Sequence, residues 1–417
     1  MTVIESRDAG SYFQFFDYSM LADPYPLYEN MRAEGALRLP NAPIVLLTRH
    51  ADCAAVLKDS RFSVQGAIPR LWAALTPDAI LPANLIASRH NPSFLFLDPP
   101  DHTRLRRLVQ KAFTPRVVAE LAPRISRFVD QTLDQAAATG TFDAVENLGY
   151  PLPITVICEL LGVPLDDEPH LRRLSAALAG VLDPAEPEFK TKLADMVGAR
   201  EEFNTYIDKL ISKRRHNPGP DLLTQLITAE DAGEKLGRDE LIATCMLLLI
   251  AGHETTVNLI SNTILTLVRR PELLGALREN IDLAPQVIEE SLRFESPVLF
   301  RTRVAIESMQ LGDTEIQAGD VVIAIIAAAN RDPDVFPDPA RFDITRDNRH
   351  MSFGLGEHFC LGAPLARLES RIAVTKFAQR VCGARLRVDP PQYRKQGSLR
   401  GPSTLPIEFE EIIPGLA

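Results

Sequence analysis

Between Phe353 and Gly362 the chain reads Phe-Gly-Leu-Gly-Glu-His-Phe-Cys-Leu-Gly, a single cysteine in a glycine-punctuated loop just before a helical pattern. This stretch constrains the fold most. Gly354, Gly356 and Gly362 can take positive φ and let the backbone approach a flat ligand closely. A thiolate at Cys360, beside a helix start, gains from the dipole and the unpaired N–H groups there. The chemistry is that of a metal ligand, set against three rivals. A buried structural thiol is the ordinary fate of a lone cysteine. A nucleophile needs a base within reach, and the close histidine, His358, has another assignment below. Zinc and iron–sulfur sites are disfavoured because Cys53, Cys158, Cys245, Cys360 and Cys382 are scattered without Cys-x-x-Cys spacing. The scatter also argues against a disulfide framework and fits a reducing cytoplasm. Haem iron suits a lone thiolate, which pushes electron density onto the metal and favours O–O cleavage.

At 417 residues the chain exceeds the usual domain size, yet no linker, low-complexity tract or repeat divides it, so one domain over 1–417 is expected. An apolar fraction of 46% suffices for a large core. The N-terminus carries no signal pattern, and the longest apolar runs, 241–252 and 321–329, fall short of the roughly 18 residues that span a bilayer. No membrane attachment is expected. A net charge of −10 argues against nucleic-acid binding. The charge is uneven, with Arg104, Arg106, Arg107, Lys111, Arg116, Arg124 and Arg127 facing only Asp98, Asp101 and Glu120 in one segment.

Most of the sequence has helical periodicity with proline and glycine stops, so the fold class is mainly α with small β-sheets. Strands are expected at 44–47, 303–311, 321–326, 386–388 and 405–409, and irregular segments at 62–96 and 332–347. The longest helix is expected from Asp239 to Arg270, about 48 Å long and central. Inside it, Ala251-Gly252-His253-Glu254-Thr255-Thr256 puts an acid and hydroxyls where burial favours apolar residues. Thr255 could bond back to a carbonyl near Gly252 and open the helix locally. His102 and Arg106, four apart on one helix face, should repel unless an anion lies between them.

Phe353-x-x-Gly356-x-x-x-Cys360-x-Gly362 resembles the haem-binding loop of the cytochrome P-450 family, and its bacterial branch in particular. The resemblance implies the cytochrome P-450 fold, with the long helix over haem b and the cysteine loop on the proximal side. It makes Cys360 the iron ligand, within a loop that includes Phe353, Gly354, Gly356 and Gly362. It makes Ala251 and Gly252 part of an oxygen-binding groove in which Thr255 and Glu254 act as an acid–alcohol pair. His102 and Arg106 would hold one haem propionate, and Arg303, preferred over Arg301, and His358 the other. Glu290, Arg293 and Arg341 would form a structural network. The implied activity is a haem-thiolate monooxygenase that uses O2 and electrons from NAD(P)H, delivered by a ferredoxin reductase and a ferredoxin docking on the basic segment. Its substrate would be a lipophilic small molecule such as a terpenoid, steroid, fatty acid or macrolide. Leu248, Ala251, Val298, Leu299 and Leu399 would line the pocket, with segments 62–96, 164–187, 298–300 and 398–402. A monomer is expected. The rivals are a peroxide-driven peroxygenase of the same fold, a non-catalytic haem sensor or carrier, and a cysteine hydrolase.

Overall fold

Pro115, Pro151 and Pro271 each open a helix, at the position where the missing N–H has no partner to lose. The computed structural model describes residues 18–40, 42–75, 93–179, 189–231 and 233–415, and is mainly helical with small sheets. The elements that build the site are helices α1 (Ala67–Leu75), α2 (Asp101–Ala112), α3 (Pro151–Leu160), α4 (Arg238–Val268), α5 (Ala284–Phe294) and α6 (Ala363–Arg380). Segment 62–96 is therefore not irregular throughout. Pro69 falls in the first turn of α1, where proline is tolerated, and Ala67, Leu71 and Trp72 bury one face. Residues 76–92 lie outside the described residues.

Helix α4 begins where the Glu240 carboxylate accepts the Gly237 amide at 2.7 Å. Every residue from Val257 to Val268 is buried. By length and composition alone α4 could cross a membrane. Here it is the core helix, packed against α3, α5 and α6.

The main sheet joins strands β1 (Leu37–Arg38), β2 (Ile44–Leu47), β3 (Phe62–Ser63), β4 (Arg301–Ala305) and β5 (Val321–Ala324) in the order β1-β2-β5-β4-β3. The run expected at 303–311 is two strands in different sheets, because the chain turns at 306–308 and exposes Ile306. In β4, Arg301 pairs with Ala324 and Arg303 with Val322, so the two arginines share one face.

Two neighbouring acids on α5 fasten the segment that leads to the cysteine loop. Glu290 and Arg293 are wholly buried and joined by two bonds, at 2.7 and 2.8 Å. Arg293 also donates to the carbonyls of Asn330, Pro339 and Arg341, while Glu290 accepts from the Asp343 amide and Asn348. Arg341 thus enters through its carbonyl, and its side chain is exposed. The second guanidinium beside Glu290 is that of Arg346, at 3.4 Å. Glu289 holds Arg367 of α6 with bonds of 2.6 and 2.8 Å. Removing one partner of a buried ion pair costs about 3–5 kcal/mol. Arg293→Ala is expected to lower the unfolding free energy by about that amount in a urea titration, whereas Arg341→Ala, which keeps its carbonyl, should change it little.

Candidate active site

Gly354 and Gly356 take φ of 71° and 69°, a region strained for other residues. A Cβ on Gly356 would also stand 2.8 Å from the Leu57 carbonyl oxygen. The loop closes when the Cys360 amide donates to the Phe353 carbonyl at 2.8 Å, which sets Cys360 just ahead of α6 with Gly362 at its N-cap. Burial pushes the Cys360 thiol up. Arg301, the Gly362 amide, Arg106 and the Ala363 amide oppose that shift and favour the thiolate.

Cys360 lies on the wall of a cavity of about 270 Å³ whose lining also includes part of α4. Ala251 is exposed and Gly252 and Thr255 half-buried, although the helix around them is core, and all three face this cavity. A Cβ on Gly252 would approach Ile157 to 2.9 Å, so glycine there lets α4 close on α3. Thr255 Oγ1 donates to the Ala251 carbonyl at 2.8 Å and Thr256 Oγ1 to the Gly252 carbonyl at 3.0 Å. The helix is continuous through this step. The expected local opening is absent, because each hydroxyl shares a carbonyl with the ladder instead of displacing it.

Glu254 does not line the cavity. Successive helix residues point about 100° apart, and its carboxylate is buried on another side of α4, paired with Arg394 at 2.9 Å. Burial raises its pKa and Arg394 opposes the rise. The adjacent His253 is buried against the Tyr150 carbonyl at 3.2 Å, and burial lowers its pKa to about 3, so it is neutral.

Arg301 and Arg303 from β4, Arg106 from α2 and His358 also line the cavity. The rings of His102 and His358 lie 4.1 Å apart at 39°. Both nitrogens of His102 and Nε2 of His358 are buried without a hydrogen-bond partner. Burial lowers both pKa values, that of His358 to about 3, with neighbouring cations adding to the shift. Orphaned donors beside arginines are what a bound carboxylate would satisfy. One thiolate, apolar walls and a carboxylate-binding corner together fit haem.

Of the expected pocket residues, Leu248, Ala251, Val298 and Leu399 line the cavity, and Val298 and Leu399 face each other as a β-bridge. Leu299 does not. It points the other way, into a core cluster with Leu21 and Tyr25, as the alternation of an extended chain requires. Among the described residues of 164–179 none lines the cavity, and 180–188 lie outside the described residues. Phe94, Phe96, Phe113 and Ile157 were not singled out from sequence, although the first two fall in a segment expected to line the pocket. Arg346 and Arg394 carry no local signal, since their partners are far away in the chain.

The cytochrome P-450 family profile matches residues 36–404. The chain is 43% identical over 399 residues to the cytochrome P-450 monooxygenase PikC of Streptomyces venezuelae, covering 93% of this chain and 91% of that protein. It is 39% identical to the vitamin D(3) 25-hydroxylase of Pseudonocardia autotrophica, covering 94% and 95%. Among solved structures, CYP109Q5 from Chondromyces apiculatus superposes with a TM-score of 0.86 at 36% identity, covering 96% of this chain and 98% of that one. The chain belongs to the cytochrome P-450 family, an oxidoreductase family that binds haem iron.

Proposed function

We propose that the protein is a haem-thiolate monooxygenase that inserts one atom of O2 into a lipophilic small molecule and releases the other as water. The meeting of Cys360 and Thr255 on one largely apolar cavity carries this reading. Haem, when bound, supplies O2 binding and the redox chemistry. Cys360 is its ligand, His102 and Arg106 hold one propionate, and Arg303 and His358 the other. Phe353 and Leu365 keep water from the thiolate side, and Leu248, Val298 and Leu399 hold the substrate. Thr255, with its proton directed at the Ala251 carbonyl, keeps its oxygen lone pairs available to the cavity and can rotate to donate. Glu254 is the proton store behind it. Burial favours its protonated form, and release from Arg394 would let it turn inward. A peroxide-driven reaction or a haem carrier would not need these two groups. The whole chain acts as one unit in the cytoplasm.

The electrons come from NAD(P)H through a ferredoxin reductase and a ferredoxin. Within the basic segment Arg104 pairs with Glu240, Arg116 with Glu120 and Arg124 with Glu159. Arg107 and Lys111 are the exposed cations of α2 that suit an acidic partner. Reversing both to Glu is expected to slow reduction by ferredoxin several-fold with substrate affinity intact. Raising ionic strength should slow the unaltered protein likewise, the screening length being about 8 Å at physiological salt. Stopped-flow rates indifferent to both would place the donor elsewhere.

Thr255→Ala should retain haem and bind substrate, yet divert NAD(P)H equivalents into hydrogen peroxide, because the hydroxyl acts only after O2 has bound. Product formed per NAD(P)H consumed is the measurement, and an unchanged ratio would remove Thr255 from the mechanism.

A further inference from the structure

We infer that Arg301 recognises an anionic group on the substrate, and that the cavity accepts lipophilic carboxylic acids. The inference rests on the haem-thiolate reading above and adds to it the class of substrate. The described lining contains three arginines, Arg106, Arg301 and Arg303, and no aspartate or glutamate. These arginines are not equivalent. Arg106 donates to the Phe359 carbonyl, and Arg303 donates to the Thr302 carbonyl and lies in the field of Asp98 and Glu357. The Arg301 side chain has no hydrogen bond or ion pair among the described residues, and the one negative group acting on it there is Cys360.

Ligation removes that counter-charge. A thiolate on a ferric porphyrin core gives a net charge of zero, leaving the two propionates as the only anions the cofactor offers. Arg106, Arg303, His102 and His358 already supply two full charges and two rings of unpaired donors for those carboxylates. Arg301 is then a surplus cation in a largely apolar cavity, an arrangement that is costly unless an anion joins it. Its place in the strand matches this role. It projects from the same face as Arg303 about 7 Å away, and it lines the same cavity as the apolar side chains of Val298, Phe300 and Leu399. A guanidinium can take a carboxylate with two parallel bonds, while the remainder of the ligand lies against Leu248, Phe94 and Phe96.

The test is spectral titration of the haem-loaded enzyme with two pairs of probes, tetradecanoic acid and its methyl ester, and abietic acid and its methyl ester. The acid is expected to bind about tenfold tighter than the ester for at least one pair, about 1.4 kcal/mol. Arg301→Gln should bring that ratio close to one by weakening the acid chiefly, and Arg301→Lys should restore part of it. A merely structural role would weaken acid and ester together. The inference is overturned if neither pair shows an acid preference, if Arg301→Gln keeps it, or if Arg301→Gln loses haem and so reveals a propionate clamp. A protein with an intact thiolate spectrum and normal ester binding but no acid preference would defeat this inference alone. Absence of the thiolate spectrum would defeat the underlying reading too.

Discussion

A single buried ion pair does the most to shape this molecule. Glu290 and Arg293 sit one helical turn apart on α5 with no exposure to solvent, and between them they hold residues from Asn330 to Asn348. That segment is irregular and leads directly into the cysteine loop. An irregular chain has no ladder of its own to satisfy its backbone groups, and Arg293 takes three of its carbonyls while Glu290 takes an amide. The neighbouring Glu289 fastens α6 through Arg367, whose guanidinium lies 4.4 Å from the Phe353 ring centroid. Helix α5 therefore fixes the approach to the cysteine loop and the helix that follows it. The role proposed for Cys360 would require placement to within a fraction of an ångström, and a segment fastened at both ends in this way would favour it.

How much of this could be read from the sequence depended on the range over which each feature is encoded. The cysteine loop, the central helix and the Glu290/Arg293 pair are written in short spacings, and the structure forms all of them within a residue or two of expectation. Features set by distant partners were not legible. Arg346 rather than Arg341 faces Glu290, because loop residues have no period to say which side chain turns inward. Leu299 faces away from the cavity, although an alternation argument around Val298 could have revealed it. Helix α1 was hidden by Pro69, which reads as a breaker until its place in the first turn is known.

Glu254 illustrates a different limit. Its position next to Thr255 is plain in the sequence, but adjacency on a helix means divergence in space. Arg394, 140 residues away, holds the carboxylate off the cavity at 2.9 Å. The acid and the alcohol thus occupy separate environments, one buried against a guanidinium and the other open to the cavity.

The claim on which the whole account stands is that Cys360 binds haem iron as a thiolate. The absorption spectrum of the reduced protein under carbon monoxide tests it directly, since the ligand opposite the gas sets the band position. A band at about 450 nm that disappears in Cys360→Ala is expected for thiolate ligation. The absence of that band in the wild type, or a band at about 450 nm that survives in Cys360→Ala, would contradict it.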